Sequence, residues 1–451
     1  MTNHHDPIEA WLSRDVELLP PPAGAYQRVR RRARRRKAVR TIGAAAGVAV
    51  IIAAAGGLPQ LAGNLFPGVN PARVASKSAV PSSPPPSPAG TPKPRPSTGA
   101  PLSKGPALST AGNGPQVPPG FRPTSVTFVN GSLGAVIGQA NSSCGAGPCT
   151  VMAGTPDYGI HWSKVGAPPT GRPDGSHGVS QIRFLINEQD GWAYGPDLWA
   201  TRDGGRHWAQ ERLPGRVVDL STVSGRVFAV AATGCTGTGI GYAAGCTRFS
   251  LYTALARGGK WGPVINSTAG RVAPGGLQLT PRHGYLMADG VLYSGPLDGG
   301  AWTPVSTASP TTPSCLTNRA GPGPWLLAAN PGALYLACGS AAAGQPPALY
   351  VSGDGGQNWQ AKGAIPGSGA ATSLAVSPDG HLVLATRTGI LYSADARTWH
   401  RAVLDGHAPR GFRFVGMTTS SNGVAVPADT GLHEVFITLD GGATWRHHII
   451  R

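Results

Sequence analysis

The stretch that decides the fold is Thr201-Arg-Asp203-Gly-Gly205-Arg-His-Trp208, because its pattern recurs along the chain. Residues 155–162, 352–359 and 438–445 share its register, Ser/Thr-x-Asp-x-Gly-x-x-Trp. In a tight turn, Ser, Thr and Asp oxygens accept backbone N–H groups, Gly adopts a positive φ, and Trp buries a large apolar surface. The pattern therefore predicts a repeated structural turn whose tryptophan lies between neighbouring sheets.

Three altered copies complete the series. Residues 393–399 and 298–302 are each one residue short, and residues 256–261 have lost the Asp. The seven closing tryptophans are spaced 46, 53, 41, 57, 40 and 46 residues apart, which predicts one β-propeller blade per interval. We predict a structural role in these turns for Asp157, Trp162, Asp203, Trp208, Asp298, Trp302, Asp354, Trp359, Asp395, Trp399, Asp440 and Trp445.

A second marker runs in phase with the first. An apolar residue followed by an aromatic one precedes every copy but the first, as in Leu198-Trp199 and Leu391-Tyr392. Upstream lie two alternating runs joined by a small-residue turn, and such period-two runs are typical of strands. The expected fold is all-β, a seven-bladed β-propeller of four-stranded antiparallel blades over residues 120–451, with about 47 residues per blade.

These turns resemble the Asp-box (BNR) repeat of sialidase-like propellers. The blade pattern is also similar to photosystem II stability-factor-like and other actinobacterial-type BNR propellers, over the whole of residues 120–451. The resemblance implies that each box is a structural turn between the third and fourth strands of a blade. It is specific for the fold and weak for function, because one fold hosts many activities.

The first 63 residues predict a single-pass membrane anchor. Residues 1–40 form a basic tail, and the uncharged residues 41–58 suffice to cross a hydrocarbon core of about 30 Å within a transmembrane helix over 41–63. Nine Lys/Arg occupy residues 28–40, so the positive-inside rule keeps the N-terminus cytoplasmic and exports the rest. A cleaved signal peptide is the alternative, but the charged leader is long and no convincing cleavage site follows.

Residues 64–119 are predicted to be a disordered linker rich in Pro, Ser and Gly. Fifteen of the 44 prolines lie between residues 67 and 119, with almost no aromatic or β-branched residue to bury. In the tail, Ile8, Trp11 and Leu12 begin an apolar stripe at helical spacing. This short helix either lies on the membrane, where anionic lipid also binds the basic run, or docks a cytoplasmic partner as a membrane-tethered regulator.

The formal charge of +17 divides unevenly. Residues 1–41 hold ten Lys/Arg against four Asp/Glu, residues 73–104 add five basic residues, and residues 120–451 hold 23 basic against 17 acidic residues. The folded part is therefore only mildly basic, and we expect no nucleic-acid partner.

All six cysteines lie in the part that is predicted to be exported, where disulfides persist. A propeller keeps sequence neighbours close in space, which favours consecutive pairing among fifteen possible connectivities. The irregular spacing and the lack of a His within any pair argue against a metal site. The expected disulfides are Cys144–Cys149, Cys235–Cys246 and Cys315–Cys338.

Two functions remain open for the propeller. An exo-sialidase-like glycosidase would need an arginine triad, a Tyr nucleophile with a Glu partner, and an Asp acid, and Phe121-Arg-Pro123 resembles a shortened form of the family's N-terminal motif. None of the glutamates, Glu188, Glu211 and Glu434, has a matching context. We therefore expect a binding or scaffolding module for a glycan, peptide or protein ligand, with no catalytic, cofactor or metal residue predicted.

Overall fold

The computed structural model describes residues 105–451, except 145–146, 172, 175, 186, 237–244, 307–311, 318–324, 340–344, 368–370, 407–408 and 430. The predicted tail, the predicted transmembrane helix and most of the predicted linker lie outside these ranges. Within them, no helix is long and apolar enough to cross a bilayer.

The described residues form seven sheets, in each of which four strands that follow one another in sequence pair antiparallel. Blades 1 to 3 contain β1 (Arg122–Phe128), β2 (Gly134–Cys144), β3 (Gly147–Thr155), β4 (Ser163–Val165); β5 (Gln181–Phe184), β6 (Gly191–Tyr194), β7 (Leu198–Thr201), β8 (Ala209–Glu211); and β9 (Arg216–Val223), β10 (Arg226–Thr233), β11 (Arg248–Leu255), β12 (Gly262–Ala269).

Blades 4 to 6 follow the same plan, with a short helix α1 (Ser314–Thr317) between blades 4 and 5. Their strands are β13 (Val272–Leu279), β14 (Gly284–Ala288), β15 (Val291–Gly295), β16 (Thr303–Pro304); β17 (Trp325–Ala329), β18 (Leu334–Cys338), β19 (Ala348–Ser352), β20 (Gln360–Ala364); and β21 (Ala371–Val376), β22 (Leu382–Thr386), β23 (Gly389–Ser393), β24 (His400–Arg401).

Blade 7 has a fifth strand at its outer edge, because the chain leaving blade 6 pairs parallel with the last strand. Its strands are β25 (Val403–Leu404), β26 (Phe412–Met417), β27 (Gly423–Pro427), β28 (Glu434–Thr438) and β29 (Thr444–Ile449). The first strand of each blade lies innermost beside those of its neighbours, so the predicted seven-bladed antiparallel propeller is confirmed.

The core is divided among the blade interfaces. Seven clusters of buried apolar side chains are present, one between each pair of neighbouring blades. Successive residues of a strand enter different clusters: Ile137 of β2 faces blade 2, and Val136 faces blade 7. Strands buried on both faces in this way require an apolar residue at nearly every position.

The ring closes between blades 7 and 1 by packing and side-chain bonds, and no described strand is exchanged between these blades. His433 Nδ1 lies 2.6 Å from the Phe121 carbonyl oxygen, and Asn422 Nδ2 donates to the Gly131 carbonyl oxygen at 3.3 Å. The Arg413 guanidinium also donates to the Pro123 carbonyl oxygen. All three bonds join a side chain of blade 7 to the backbone of residues 121–131.

A segment before β1, residues 105–121, is part of the folded body; we term it the strap. Leu108 is fully buried in the cluster between blades 1 and 2, and its N–H donates to the Gly204 carbonyl oxygen at 2.7 Å. Further along, Val117 and Phe121 are buried in the cluster between blades 7 and 1. Residues 105–119, which were predicted to belong to the linker, pack instead against the propeller, because their few apolar side chains fill two interfaces.

Candidate functional site

The strand order gives the propeller two faces. Turns between the first and second strands and between the third and fourth strands lie at one end of every blade, because neighbouring strands are antiparallel. The recurring Asp and Trp turns belong to this end, which we term the box face. The second-to-third connections and the connections between blades lie at the other end, the loop face.

In four blades the turn after the third strand is built in one way, as blade 5 shows. The Ser352 hydroxyl donates to the Asp354 carboxylate at 2.8 Å and accepts the Gly356 N–H at 2.8 Å. Asp354 in turn accepts the backbone N–H and the side-chain amide of Asn358, at 2.9 and 2.8 Å. Gly356 has a φ of +95°, a conformation that favours glycine. The same bonds organise the turns of Asp157, Asp203 and Asp440.

Each turn sends its tryptophan into the interface with the preceding blade. Trp359 packs with the cluster between blades 4 and 5, and its Nε1 donates to the Gly356 carbonyl oxygen at 2.9 Å. Trp208 donates instead to Gly166 of blade 1, at 3.1 Å. The remaining interfaces are filled in this manner by Trp162, Trp261, Trp302, Trp399 and Trp445.

The altered copies keep part of this bonding. Asp395 accepts the Ser393 hydroxyl at 3.2 Å and the backbone N–H of Thr398 at 2.7 Å. Asp298 accepts the Gly300 N–H at 2.9 Å, and Trp302 Nε1 donates to the Pro296 carbonyl oxygen. Their carboxylates therefore serve the turn itself, where they accept N–H groups of their own segment.

Hydrogen bonding tunes the pKa of the turn carboxyls. The Asn358 backbone N–H holds the pKa of Asp354 below its usual range. Burial raises the pKa of Asp203, but the N–H and the ring of His207 outweigh this effect and the net pKa is lowered. Carboxyls of this kind stay ionised at neutral pH, as the turn geometry requires.

The central channel is the cavity on the propeller axis. It has a volume of 330 Å³ and is lined by residues from the innermost strands of all seven blades. Most lining side chains are small or aliphatic, and the charged ones are Arg183, Asp219 and Arg413. The channel thus combines two guanidinium groups with one carboxyl.

Asp219 bridges two blades. Its carboxylate accepts the Leu277 N–H of blade 4 at 3.0 Å and the Leu220 N–H at 2.9 Å. Ser125 occupies the equivalent position in blade 1, where its hydroxyl accepts the Ile182 N–H at 3.4 Å. Burial raises the pKa of Asp219, although Arg183 and the N–H donors oppose the shift. Each oxygen of this carboxyl group therefore accepts a backbone N–H group.

The two channel arginines come from blades on either side of blade 1. Arg183 lies on β5, its Nη1 donates to the Ile182 carbonyl oxygen at 2.7 Å, and its guanidinium carbon is 5.9 Å from the centre of the Phe414 ring of blade 7. Arg413 lies on β26. Stacking on an aromatic ring fixes the plane of a guanidinium group while its edge stays accessible to an anion.

Sequence reasoning missed these arginines, although the sequence carries a signal for them. Each interrupts the innermost strand of its blade between two apolar residues, as Ile182-Arg183-Phe184 and Phe412-Arg413-Phe414. An arginine in an otherwise apolar inner strand is costly unless it faces a polar cavity. The repeat of the pattern in two blades therefore pointed to the channel.

More arginines surround the end of the channel at the loop face, which we term the axial entrance. Arg122 and Arg216 are the first residues of β1 and β9, Arg271 directly precedes β13, and Arg410 lies two residues before β26. Among the described residues, no acid occupies an equivalent position, although Asp289 lies 3.9 Å from Arg271. The axial entrance is therefore positively charged.

The glutamates weighed for a glycosidase lie elsewhere. Glu188 is in the turn between β5 and β6, and Glu434 is buried at the start of β28. Glu211 of β8 accepts Arg202 Nη2 and Trp261 Nε1, both at 2.9 Å. None of the three lines the channel.

Two of the three expected disulfides are confirmed, Cys235–Cys246 and Cys315–Cys338. Both lie at the loop face, where they tie long connections to the blades. The side chains of Cys144 and Cys149 lie outside the described residues. Among the part of the chain that is described, no three His, Cys, Asp or Glu side chains are grouped as a metal site.

No protein-family model and no curated protein sequence matches the chain. Among solved structures, YCF48 bound to D1 peptide is similar at a TM-score of 0.47 and 16% identity, over 72% of this chain and 95% of that one. An ancestral GH74 enzyme is similar at 0.46 and 14%, over 73% of this chain and 46% of that one. PorZ of Porphyromonas gingivalis, an essential surface component of the type-IX secretion system, is similar at 0.46 and 15%, over 73% and 38%.

Proposed function

We propose that this chain is a membrane-anchored binding module whose propeller, on the outer side of the membrane, binds an anionic group of a glycan, peptide or protein partner. The group would pass the axial entrance and reach the channel. The observation that carries the proposal is the convergence of Arg183 and Arg413 in the channel, from blades 2 and 7.

The chemistry of the arginines favours a carboxylate or a similar planar anion. A guanidinium group presents its donors as a fork that matches two oxygens, and charge-assisted bonds of this kind are about twice as strong as neutral ones. The channel is narrow and partly enclosed by small and aliphatic side chains, so an anion inside it would be screened by fewer water molecules than at the surface. The arginines of the axial entrance would raise the rate of encounter with a negatively charged partner.

The alternative of an exo-sialidase-like glycosidase finds less support. Most glycosidases place two carboxyl groups on either side of the bond that they cleave. Among the described residues that line the channel, Asp219 alone has a carboxyl group, and its oxygens accept backbone N–H groups of blades 3 and 4. This arrangement favours retention of an anionic ligand over its turnover.

The experiment measures binding of two probes by isothermal titration calorimetry, a hexaglutamate peptide and 3′-sialyllactose, each bearing carboxylates. A hexaglutamine peptide and lactose serve as neutral counterparts. We expect one anionic probe to bind and its neutral counterpart not to bind. Arg183→Gln or Arg413→Gln should each weaken binding by about 10- to 100-fold, since a bond to a charged group contributes about 1.5 to 3 kcal/mol.

The matched control is Arg206→Gln, which removes an exposed arginine of the box face. Binding should be unchanged in this variant. Equal loss in all three variants would show that only the overall charge matters and would contradict a channel site. Release of sialic acid from a fluorogenic sialoside, abolished by Arg183→Gln, would replace the binding proposal by the glycosidase alternative.

A further inference from the structure

An apolar groove lies on the box face, at the opposite end of the propeller from the axial entrance. It has a volume of 860 Å³ and lies at the box-face ends of the innermost strands. Its apolar lining comes from the ends of strands and from turns in four neighbouring blades, namely Phe128, Phe184, Leu185, Val223, Leu255 and Pro281. A cavity of this size is within the usual range for ligand sites, about 300 to 1,000 Å³.

Blade 3 makes the groove distinctive. Its first hairpin is joined by only two residues, so Val223 pairs with Arg226 at the tip, and Leu255 pairs with the same arginine from the other side. Leu255 is 55% exposed at this tip. A large aliphatic side chain that borders an apolar groove and remains exposed marks a surface that gains from being covered.

The rim of the groove is positively charged on one side. The altered box of blade 3 lacks its Asp and carries Arg257 and Lys260, and Arg282 follows the groove residue Pro281 in blade 4. All three side chains are exposed, and none forms an ion pair with another described residue. On the opposite side, the groove residue Asp190 is buried and accepts the Asn187 side-chain amide at 2.6 Å.

We infer that this groove docks an acidic amphipathic segment of a partner protein. Apolar side chains of that segment would cover Leu255 and enter the groove, while its carboxylates would meet Arg257 and Lys260. Amphipathic segments commonly bind grooves in this way, with apolar anchors on one side and charges at the rim. The site is separate from the channel, and its occupancy does not depend on the function proposed above.

The test uses the proposed ectodomain, residues 64–451, and a fluorescein-labelled 18-residue peptide with Leu at helical spacing and Glu at the other positions. Fluorescence anisotropy should show binding of this peptide, but not of a version with Lys in place of Glu, nor of a scrambled version of the same composition. Leu255→Asp should weaken binding at least tenfold, and Arg257→Glu at least fivefold, because one removes an apolar anchor and the other reverses a rim charge.

The matched control is Leu439→Asp. Leu439 is 54% exposed in the box turn of blade 7, on the same face and outside the groove, so this variant should bind within twofold of the wild type. Circular dichroism spectra and melting curves check that each variant is folded. Because the Glu residues of the peptide would also reach the channel, each variant is measured in an Arg183→Gln background as well, where binding at the groove and its loss in Leu255→Asp should persist.

Three results would overturn the inference. The first is no binding of the acidic peptide to the wild type, or equal binding of the Lys version. The second is a self-associating ectodomain in sedimentation velocity that Leu255→Asp converts to a monomer, because a second copy would then cover the groove. The third is binding to vesicles containing phosphatidylglycerol that Leu255→Asp abolishes, because the groove would then contact lipid.

Discussion

Replacing one box tryptophan separates the structural role of the turns from ligand binding. Trp359 is 3% exposed, fills the interface between blades 4 and 5, and donates to the Gly356 carbonyl oxygen at 2.9 Å. Trp359→Ala opens a void between two sheets and leaves this carbonyl without its partner. Large-to-small changes of buried aromatic residues lower the free energy of unfolding by about 3 to 5 kcal/mol, which is the loss expected here.

Trp399 of blade 6 is the matched control. It is only partly buried at the edge of the cluster between blades 5 and 6, so less of its surface is shielded from water. Because the apolar burial term scales with the area removed from water, Trp399→Ala should lower the free energy of unfolding by about 1 to 2 kcal/mol. Neither residue lines the channel.

Equilibrium urea unfolding, followed by far-UV circular dichroism with the disulfides intact, measures both values. The folded fraction of each variant should bind the anionic channel probe as the wild type does. A Trp399→Ala change as destabilising as Trp359→Ala would show that depth of burial does not set the contribution of a box. If the free energy of unfolding fell by less than about 1 kcal/mol in both variants, the structural role predicted for the repeat would be refuted.

Three further predictions follow from the turns, the disulfides and the topology. The pKa of Asp354 is lower in the folded state than its unfolded value of about 4, so its contribution to stability is present above pH 4 and is lost as the pH falls through the folded value. The urea midpoint of the wild type should therefore fall below pH 4, and that of Asp354→Asn should fall less steeply. Equal slopes in the two proteins would contradict this prediction. The Cys235–Cys246 disulfide links residues 11 apart in sequence and so restricts the unfolded chain only modestly; removing it should lower the free energy of unfolding by about 2 to 3 kcal/mol, and no change would argue that the pair is not formed in solution. A single cysteine placed at Thr2 should resist an impermeant thiol reagent in intact cells while one at Ser97 reacts, and labelling at position 2 would reverse the proposed orientation.

The fold was predictable from the sequence because the residues that one turn requires recur once in each blade. Ser or Thr, Asp, Gly and Trp each make a separate contact in the turn of blade 5, so the pattern survives where the rest of a blade varies. Even the copy that ends at Trp261, which has lost its Asp, fills its interface. Counting tryptophans therefore gave the correct number of blades.

The site and the strap were less accessible for physical reasons. The strap has a linker-like composition, and only a few apolar residues such as Leu108 and Val117 decide that it folds. The period of a repeat does not show which distant residues are neighbours in space. The contact between Arg183 and Phe414, more than 200 residues later in the sequence, could therefore not be predicted from it. The groove depends on the short hairpin of blade 3 together with residues from four other blades, which no local pattern describes.

The position of the strap bears on how an anchored propeller would withstand tension. A pull from the proposed membrane anchor would load the strap, in which the Gly105 N–H donates to the Arg206 carbonyl oxygen of blade 2. Buried Leu108 then resists the load in the interface between blades 1 and 2, before it reaches Val117 and Phe121 at the seam where the ring closes. The interface between blades 1 and 2 would therefore carry the load before the seam, at which side-chain bonds and packing join the two ends of the ring.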